Sequence, residues 1–139
     1  MPASPRAFYQ ILRLHQLVSD CLDEALQPAT LTAHQYTVLS LVRHMAPTTS
    51  ALVARRLQIS AQSTGETLKT LEARGLVARG ASAENKRLVL FTLTPEGRRM
   101  ALRADRLVAK AEAAFFDCID SPALQSLQDS IQRIRAARH

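Results

Sequence analysis

Apolar positions near the start of the chain recur with the spacing of one helix face. They follow a 3-4-3-4-3 pattern over about residues 6–27, which predicts a long amphipathic helix. The positions on this seam are Phe8, Ile11, His15, Val18, Leu22 and Ala25. Pro28 is expected to end the helix, because proline cannot donate a hydrogen bond in a helix interior. The apolar seam must then be covered by another element.

Three shorter helices are predicted to follow. Thr32 is an N-cap for a helix that runs to about His44, because its side-chain oxygen can accept from the first helical N–H groups. A third helix is expected to begin near Ser50. A fourth, capped by Ser60, runs to Arg74, and the glycine that follows supplies a left-handed C-terminal residue at low cost.

The pattern then changes from helical to extended. Val89, Phe91 and Leu93 alternate with more polar residues, which is the period of a half-buried strand. A partner strand is expected at Val77–Gly80, across a polar tip at 81–87. The sequence therefore predicts a β-hairpin with a basic tip.

Two further helices are expected at the C-terminal end. Thr94-Pro95-Glu96 combines an N-cap, a proline at the first helical position and an early acid, and the helix should run to about Cys118. Ser121-Pro122 repeats the signal for a last helix. Its apolar face has 3-4-3 spacing at Leu124, Leu127, Ile131 and Ile134.

The predicted order is α-α-α-α-β-β-α-α, a mainly α fold with a small β-hairpin wing. Two short helices joined by a tight turn and followed by a hairpin form a winged helix-turn-helix, placed at residues 30–99 of one domain spanning 1–139. The second of the two helices can lie in the DNA major groove while the hairpin tip reaches the neighbouring backbone or minor groove.

Charge is concentrated in the same part of the chain. The 139 residues carry a net charge of +6, and residues 43–99 hold ten basic and four acidic side chains, so the flanks together are neutral. A basic surface kept only for solubility would not be segregated in this way. Nucleic acid is the expected polyanionic partner, specifically double-stranded DNA.

Individual DNA contacts are predicted on the fourth helix, its neighbour and the wing. Thr64, Leu68 and Leu71 share a face that should pack inward, and short polar side chains near the helix N-terminus suit base edges and phosphates. The candidate DNA-binding residues are Ser50, Ser60, Gln62, Ser63, Thr64, Thr67, Lys69, Arg79, Lys86 and Arg87.

The ordered motifs resemble those of the MarR family of bacterial transcription regulators, over about residues 6–137. The resemblance is carried by Leu31–Tyr36, Ser50–Ala54, Leu71–Val77, Asn85–Arg87 and Leu93–Gly97. Most diagnostic are the Leu-Glu-x-x-Gly-Leu-Val end of the fourth helix and the Leu-Thr-x-x-Gly start of the next.

The resemblance implies a homodimeric repressor of a pseudo-palindromic operator, dimerised through helices at 6–27 and 100–137. It also implies a crevice where a small aromatic or phenolic ligand weakens DNA binding. Tyr36 and Arg43 are candidate ligand contacts, and His34 is a further possibility. His15 is either a third ligand contact or a histidine in the core or interface, the commoner role of a histidine on an apolar seam.

Three positions depart from the family pattern. Asn85 replaces the wing aspartate that fixes the minor-groove arginine, represented here by Arg87, and its carbonyl could still bind the guanidinium without charge assistance. Gly65 weakens the recognition helix by about 1 kcal/mol relative to alanine. Glu66 either accepts from cytosine or repels phosphate.

These departures keep two alternatives open. One is a protein-interaction module, acting as an adaptor or antirepressor with weak DNA binding. The other is a redox-sensing regulator, although Cys21 and Cys118 are expected to be buried small apolar residues. No catalytic motif, cofactor site or metal-ligand spacing stands out, so no enzyme is expected. No membrane span or signal peptide is recognised, which predicts a cytoplasmic protein.

Overall fold

A computed structural model of the protein describes residues 4–138, which form six α-helices and one two-stranded antiparallel hairpin. The predicted fold class and element order are confirmed. The elements are α1 (Ser4–Leu26), α2 (Ala33–Met45), α3 (Ser50–Leu57), α4 (Ala61–Ala73), β1 (Val77–Ala81), β2 (Val89–Leu93), α5 (Pro95–Phe115) and α6 (Ser121–Ala136).

The helix starts follow the side chains that cap them. Thr32 forms a full capping box with Gln35, in which each side chain pairs with the other residue's backbone N–H. The Ser60 hydroxyl accepts from the Ser63 N–H at 3.0 Å. For α6 the expected cap is wrong: Asp120, not Ser121, accepts from the Ala123 N–H. A carboxylate has the same acceptor geometry as a serine hydroxyl, so the cap moved by one residue.

The C-terminal ends of two helices differ from the sequence predictions. The expected end of α5 at Cys118 is wrong, because the helix stops at Phe115 and residues 116–118 form a turn. A short 3₁₀ helix, Gln27–Ala29, follows α1 and was not predicted. It buries Ala29 and leads into Thr30, which has a left-handed backbone with φ of 55°.

The core joins α2, α4, the hairpin and the first half of α5. Leu39, Leu68 and Leu71 are fully buried or nearly so, and Phe91 and Leu93 from β2 close the other side. The inward packing predicted for the face of α4 is therefore confirmed. This core fixes the angle between α4, the predicted recognition helix, and the β1–β2 hairpin, which is the wing.

The hairpin pairs Val77 with Leu93 and Ala81 with Val89. Thr48, in the link between α2 and α3, extends the pairing: its N–H donates to the Phe91 carbonyl and its carbonyl accepts from the Phe91 N–H. The wing is thus tied by main-chain bonds to the segment just before α3.

The apolar faces of α1 and α6 remain largely uncovered in the single chain. Among the residues that the structure describes, α6 contains none that is buried. Large apolar side chains that stay exposed on these two helices are Phe8, Tyr9, Ile11, Leu12, Leu14, Leu17, Ile131 and Ile134. An apolar surface of this extent is typical of a protein–protein interface.

Candidate nucleic-acid interface and ligand cavity

The outward face of α4 carries a short row of polar and charged side chains. Gln62, Glu66 and Lys69 are all exposed on successive turns. The Gln62 amide nitrogen donates to a Glu66 carboxylate oxygen at 3.5 Å, so the two side chains are linked before any partner binds. Amide, carboxylate and ammonium groups together can read donor and acceptor patterns in a major groove.

Two of the residues predicted to bind DNA on α4 are inaccessible. Thr64 is fully buried and Thr67 is 9% exposed. Their hydroxyls donate to backbone carbonyls one turn earlier, at Ser60 and Ser63. The prediction that Thr64 and Thr67 contact DNA is therefore corrected, because both side chains face the core and are already hydrogen-bonded.

The three candidate serines lie around the start of α4. Ser60 is its N-cap, and Ser63 supplies the N–H that this cap accepts. Ser50, at the first position of α3, is half-buried, and its hydroxyl lies 4.0 Å from where a Cβ on Gly65 would stand. Small side chains at both positions let α3 and α4 approach closely. DNA contact by the serines stays a prediction.

The wing tip is organised by its own side chains. The Ser82 hydroxyl accepts from the backbone N–H groups of Glu84 and Asn85. The side-chain oxygen Oδ1 of Asn85 accepts from the backbone N–H of Arg87 at 3.0 Å. The suggested bond from Asn85 to the Arg87 guanidinium is thus replaced by a bond to its backbone. Lys86 and Arg87 are exposed.

Arg79, also predicted to bind DNA, is held within the fold. Its Nε donates to Glu72 at 2.7 Å and its guanidinium lies 5.7 Å from the centre of the Phe91 ring. These contacts fasten β1 to the end of α4. The Arg79 side chain nevertheless remains 47% exposed, so DNA contact by Arg79 stays a prediction beside this structural role.

Only part of the basic excess is available to a partner. Arg43, Arg74, Arg98 and Arg99 also bind carboxylates or backbone carbonyls. Within residues 4–138 no internal hydrogen bond or ion pair holds the remaining basic side chains of the middle segment. These are Arg55, Arg56, Lys69, Lys86 and Arg87. Arg55 and Arg56, in the last turn of α3, were counted in the charge but were not among the candidate DNA-binding residues.

A separate cavity of about 320 Å³ lies where α1, α2 and α5 meet. Its walls are almost entirely apolar. The lining residues are Val18, Cys21, Leu22, Tyr36, Val108, Ala111, Glu112, Phe115 and Phe116. Sequence reasoning identified only Tyr36 among them, although the helical spacing of Val18 and Leu22 had marked one wall as apolar.

Tyr36 links the cavity to a polar chain between α2 and α5. Its hydroxyl donates to Asp105 at 2.8 Å, and the other oxygen of Asp105 accepts from Arg43 at 2.6 Å. Burial and the hydrogen bond to Asp105 raise the pKa of Tyr36 to about 12. The phenol is therefore neutral at physiological pH.

The other predicted ligand contacts do not reach this cavity. His15 is exposed on α1, and Arg43 is bound to Asp105, so the single chain places neither against the cavity. Ligand contact by His15 and Arg43 stays a prediction. His34 is not part of the lining either. The expectation of two buried cysteines is wrong too, since Cys21 is half-buried and Cys118 is exposed.

Residues 4–138 hold no cluster of His, Cys, Asp and Glu side chains suited to a metal ion. Over the same residues, no helix combines the length and apolar character needed to cross a membrane.

Comparison with known proteins shows which family the chain resembles. The sequence model of the MarR family matches residues 29–88, from the turn before α2 to the wing tip. An HTH-type transcriptional repressor of Mycobacterium tuberculosis is 28% identical over 126 residues, which cover 91% of each protein. These matches make the chain similar to MarR-family and HTH-type transcription regulators.

Solved structures of MarR-family proteins share the whole architecture. A MarR-family regulator from Rhodococcus sp. RHA1 has a TM-score of 0.84 and 26% identity, covering 94% of this chain and 93% of that one. A MarR-family protein of Mycobacterium tuberculosis, crystallised with p-aminosalicylic acid, has a TM-score of 0.75 and 27% identity, covering 91% and 95%. The predicted resemblance to MarR-family DNA-binding transcription regulators is thereby confirmed.

Proposed function

We propose that the protein is a homodimeric transcription repressor that binds a pseudo-palindromic operator and is released by a small aromatic ligand. The observation that carries this proposal is the exposed row of basic and polar side chains on α3, α4 and the wing. In this arrangement α4 enters the major groove, with Gln62, Glu66 and Lys69 toward the bases and adjoining phosphates. Lys86 and Arg87 extend toward the neighbouring backbone or minor groove.

The division of the chain supports a dimer. Residues 30–99 form the DNA-binding part, and the uncovered apolar faces at 6–27 and 100–137 form the dimerisation part. Two copies related by a twofold axis would present two recognition helices to successive major grooves, about 34 Å apart along the DNA. The curated relative is named a repressor, which supports repression as the direction of control.

The cavity beside Tyr36 supports control by a small molecule. It touches α1, α2 and α5, the helices that join the proposed dimer region to the winged helix. A ligand there releases DNA only if it binds better to the arrangement of the two recognition helices that does not fit the operator. The ligand bound in the crystallised Mycobacterium tuberculosis protein, p-aminosalicylic acid, supports an aromatic class.

The proposal assigns no catalytic activity to the chain. Binding to chromosomal DNA would place it in the cytoplasm of a bacterium.

Selection of genomic DNA fragments by the full-length protein tests the proposal. We expect a shared inverted repeat, bound by a dimer, with affinity that falls steeply between two salt concentrations. Sedimentation of the free protein at the same concentration should give twice the chain mass. Micromolar binding with no sequence preference would overturn the assignment and favour the adaptor alternative instead.

The redox alternative is tested on the same complex. If peroxide releases the selected DNA and Cys21→Ser removes the effect, control is by oxidation and the proposed ligand control is wrong. We expect peroxide to leave binding unchanged.

A further inference from the structure

We propose that the cavity between α1, α2 and α5 selects a small aromatic molecule that carries a positive charge, and that Glu112 determines this preference. The inference rests on the proposed function, since it names the chemical class of the ligand that would relieve repression. It differs from the carboxylic acid bound in the related crystal structure.

The formal charge of the lining is negative only. Glu112 is its only formally charged residue, and the lining formed by the described residues includes no lysine, arginine or histidine. The rest of the wall is apolar, apart from the Tyr36 phenol and the Cys21 thiol. Glu112 is exposed to solvent, and its carboxylate would repel a ligand carboxylate in this space and attract an ammonium.

The nearby arginine does not change this balance. Arg43 is already bound to Asp105 at 2.6 Å and does not line the cavity. A ligand carboxylate could recruit it only by breaking that ion pair.

The hydrogen-bonding atoms of the cavity also favour a ligand that donates hydrogen bonds. The Tyr36 hydroxyl gives its proton to Asp105 and its oxygen is also hydrogen-bonded by Ser40, so it has no proton to donate toward the cavity. The Glu112 carboxylate offers lone pairs as well. An ammonium group has donors and no acceptor, which matches both groups.

Two aromatic rings close one side of the cavity. Phe115 and Phe116 pack edge to face, with ring centroids 5.0 Å apart. Aromatic faces attract both apolar rings and cations within about 6 Å. The lining therefore provides one surface for an aromatic body and one carboxylate for its charge.

Three matched naphthalene compounds test the preference: 1-naphthylmethylamine, 1-naphthylmethanol and 1-naphthoate. Their binding to the full-length protein is measured by calorimetry, in the absence of DNA. We expect the ammonium compound to bind about tenfold more tightly than the carboxylate, with the alcohol between them. Tightest binding by the carboxylate, or no binding by any of the three, overturns the proposal.

Glu112→Gln isolates the contribution of the charge. This variant keeps the side-chain size and should reduce the preference for ammonium over carboxylate about tenfold, while binding of the alcohol stays unchanged. Glu24→Gln is the matched control, because Glu24 is exposed on α1 and does not line the cavity. An unchanged preference in Glu112→Gln, or an equal loss in Glu24→Gln, contradicts the role of Glu112.

The location of the ligand is checked through Cys21. In a Cys118→Ser protein, Cys21 is the single thiol, and its alkylation by a small maleimide should slow when 1-naphthylmethylamine is bound. Binding without protection places the ligand elsewhere and overturns the proposal. DNA binding by the same preparations, measured separately, shows whether the proposed repressor function stands when the ligand inference fails.

Discussion

Gly97 lies directly against the backbone of Leu76, so close that a Cβ atom at position 97 would stand 1.9 Å from the Leu76 carbonyl oxygen. The same carbonyl accepts from the Thr94 N–H, and the Thr94 hydroxyl donates to the Gly75 carbonyl. The start of α5 therefore packs against, and is hydrogen-bonded to, the turn that directly follows α4. This contact joins the two motifs that carried the family resemblance.

Gly97→Ala should destabilise the protein by about 3 kcal/mol or more, because the contact is with backbone and the added methyl has no space. The free energy of unfolding, measured in urea, checks this. Gly80→Ala is the control, since a Cβ on Gly80 has no neighbour within 4 Å. Equal stabilities of the two variants would show that the junction can relax.

Gly65→Ala should instead stabilise the protein, by about 0.5 to 1 kcal/mol. Alanine is the better helix former, and its Cβ would meet only the Ser50 hydroxyl, at 4.0 Å. The matched contrast is Gly75→Ala, which should be destabilising because Gly75 has a φ of 73°. Thermal unfolding of both variants distinguishes helix propensity from backbone strain.

Arg87→Ala and Arg79→Ala should differ in their salt dependence. Loss of one phosphate contact lowers the slope of log affinity against log salt by about 0.9 per protomer, which we expect for Arg87→Ala. Arg79→Ala should keep the slope, because that guanidinium is bound to Glu72. Operator titrations at four salt concentrations measure both, and a reduced slope for Arg79→Ala would identify it as a DNA contact.

Gln62→Ala should change base preference more than it changes the salt slope. The Gln62 amide can pair with a base edge once it leaves Glu66, whereas Lys69→Ala should weaken binding to all sequences alike. Relative affinities for single-base variants of the operator provide the test. A uniform loss for Gln62→Ala would mean that it does not read bases.

Tyr36 should titrate at about pH 12, well above an ordinary tyrosine at 10.0. Because the native phenol holds its proton more tightly than the unfolded one, its contribution to stability is present below pH 10 and lost as pH rises toward 12. The protein has two tyrosines, so phenolate absorbance in Tyr9→Phe follows Tyr36 alone. Asp105→Asn should lower this midpoint, and a midpoint near 10 in the parent would contradict the buried hydrogen bond.

The sequence by itself determined the elements and their order. Helical and strand periods, together with caps such as Thr32 and Ser60, act over a few residues and can be read locally. The basic excess of residues 43–99 and the apolar seams of the end helices were also visible in the chain. These features were enough to predict a winged helix and its resemblance to the MarR family.

Tertiary structure decided which side chains are free to act. Thr67 and Arg79 have the chemistry of DNA contacts, yet burial removes one and Glu72 with Phe91 engages the other. The cavity joins Cys21 on α1 to Glu112 on α5, residues separated by most of the chain. Burial, ion pairing and cavity shape depend on how distant elements pack, so no local pattern could have determined them.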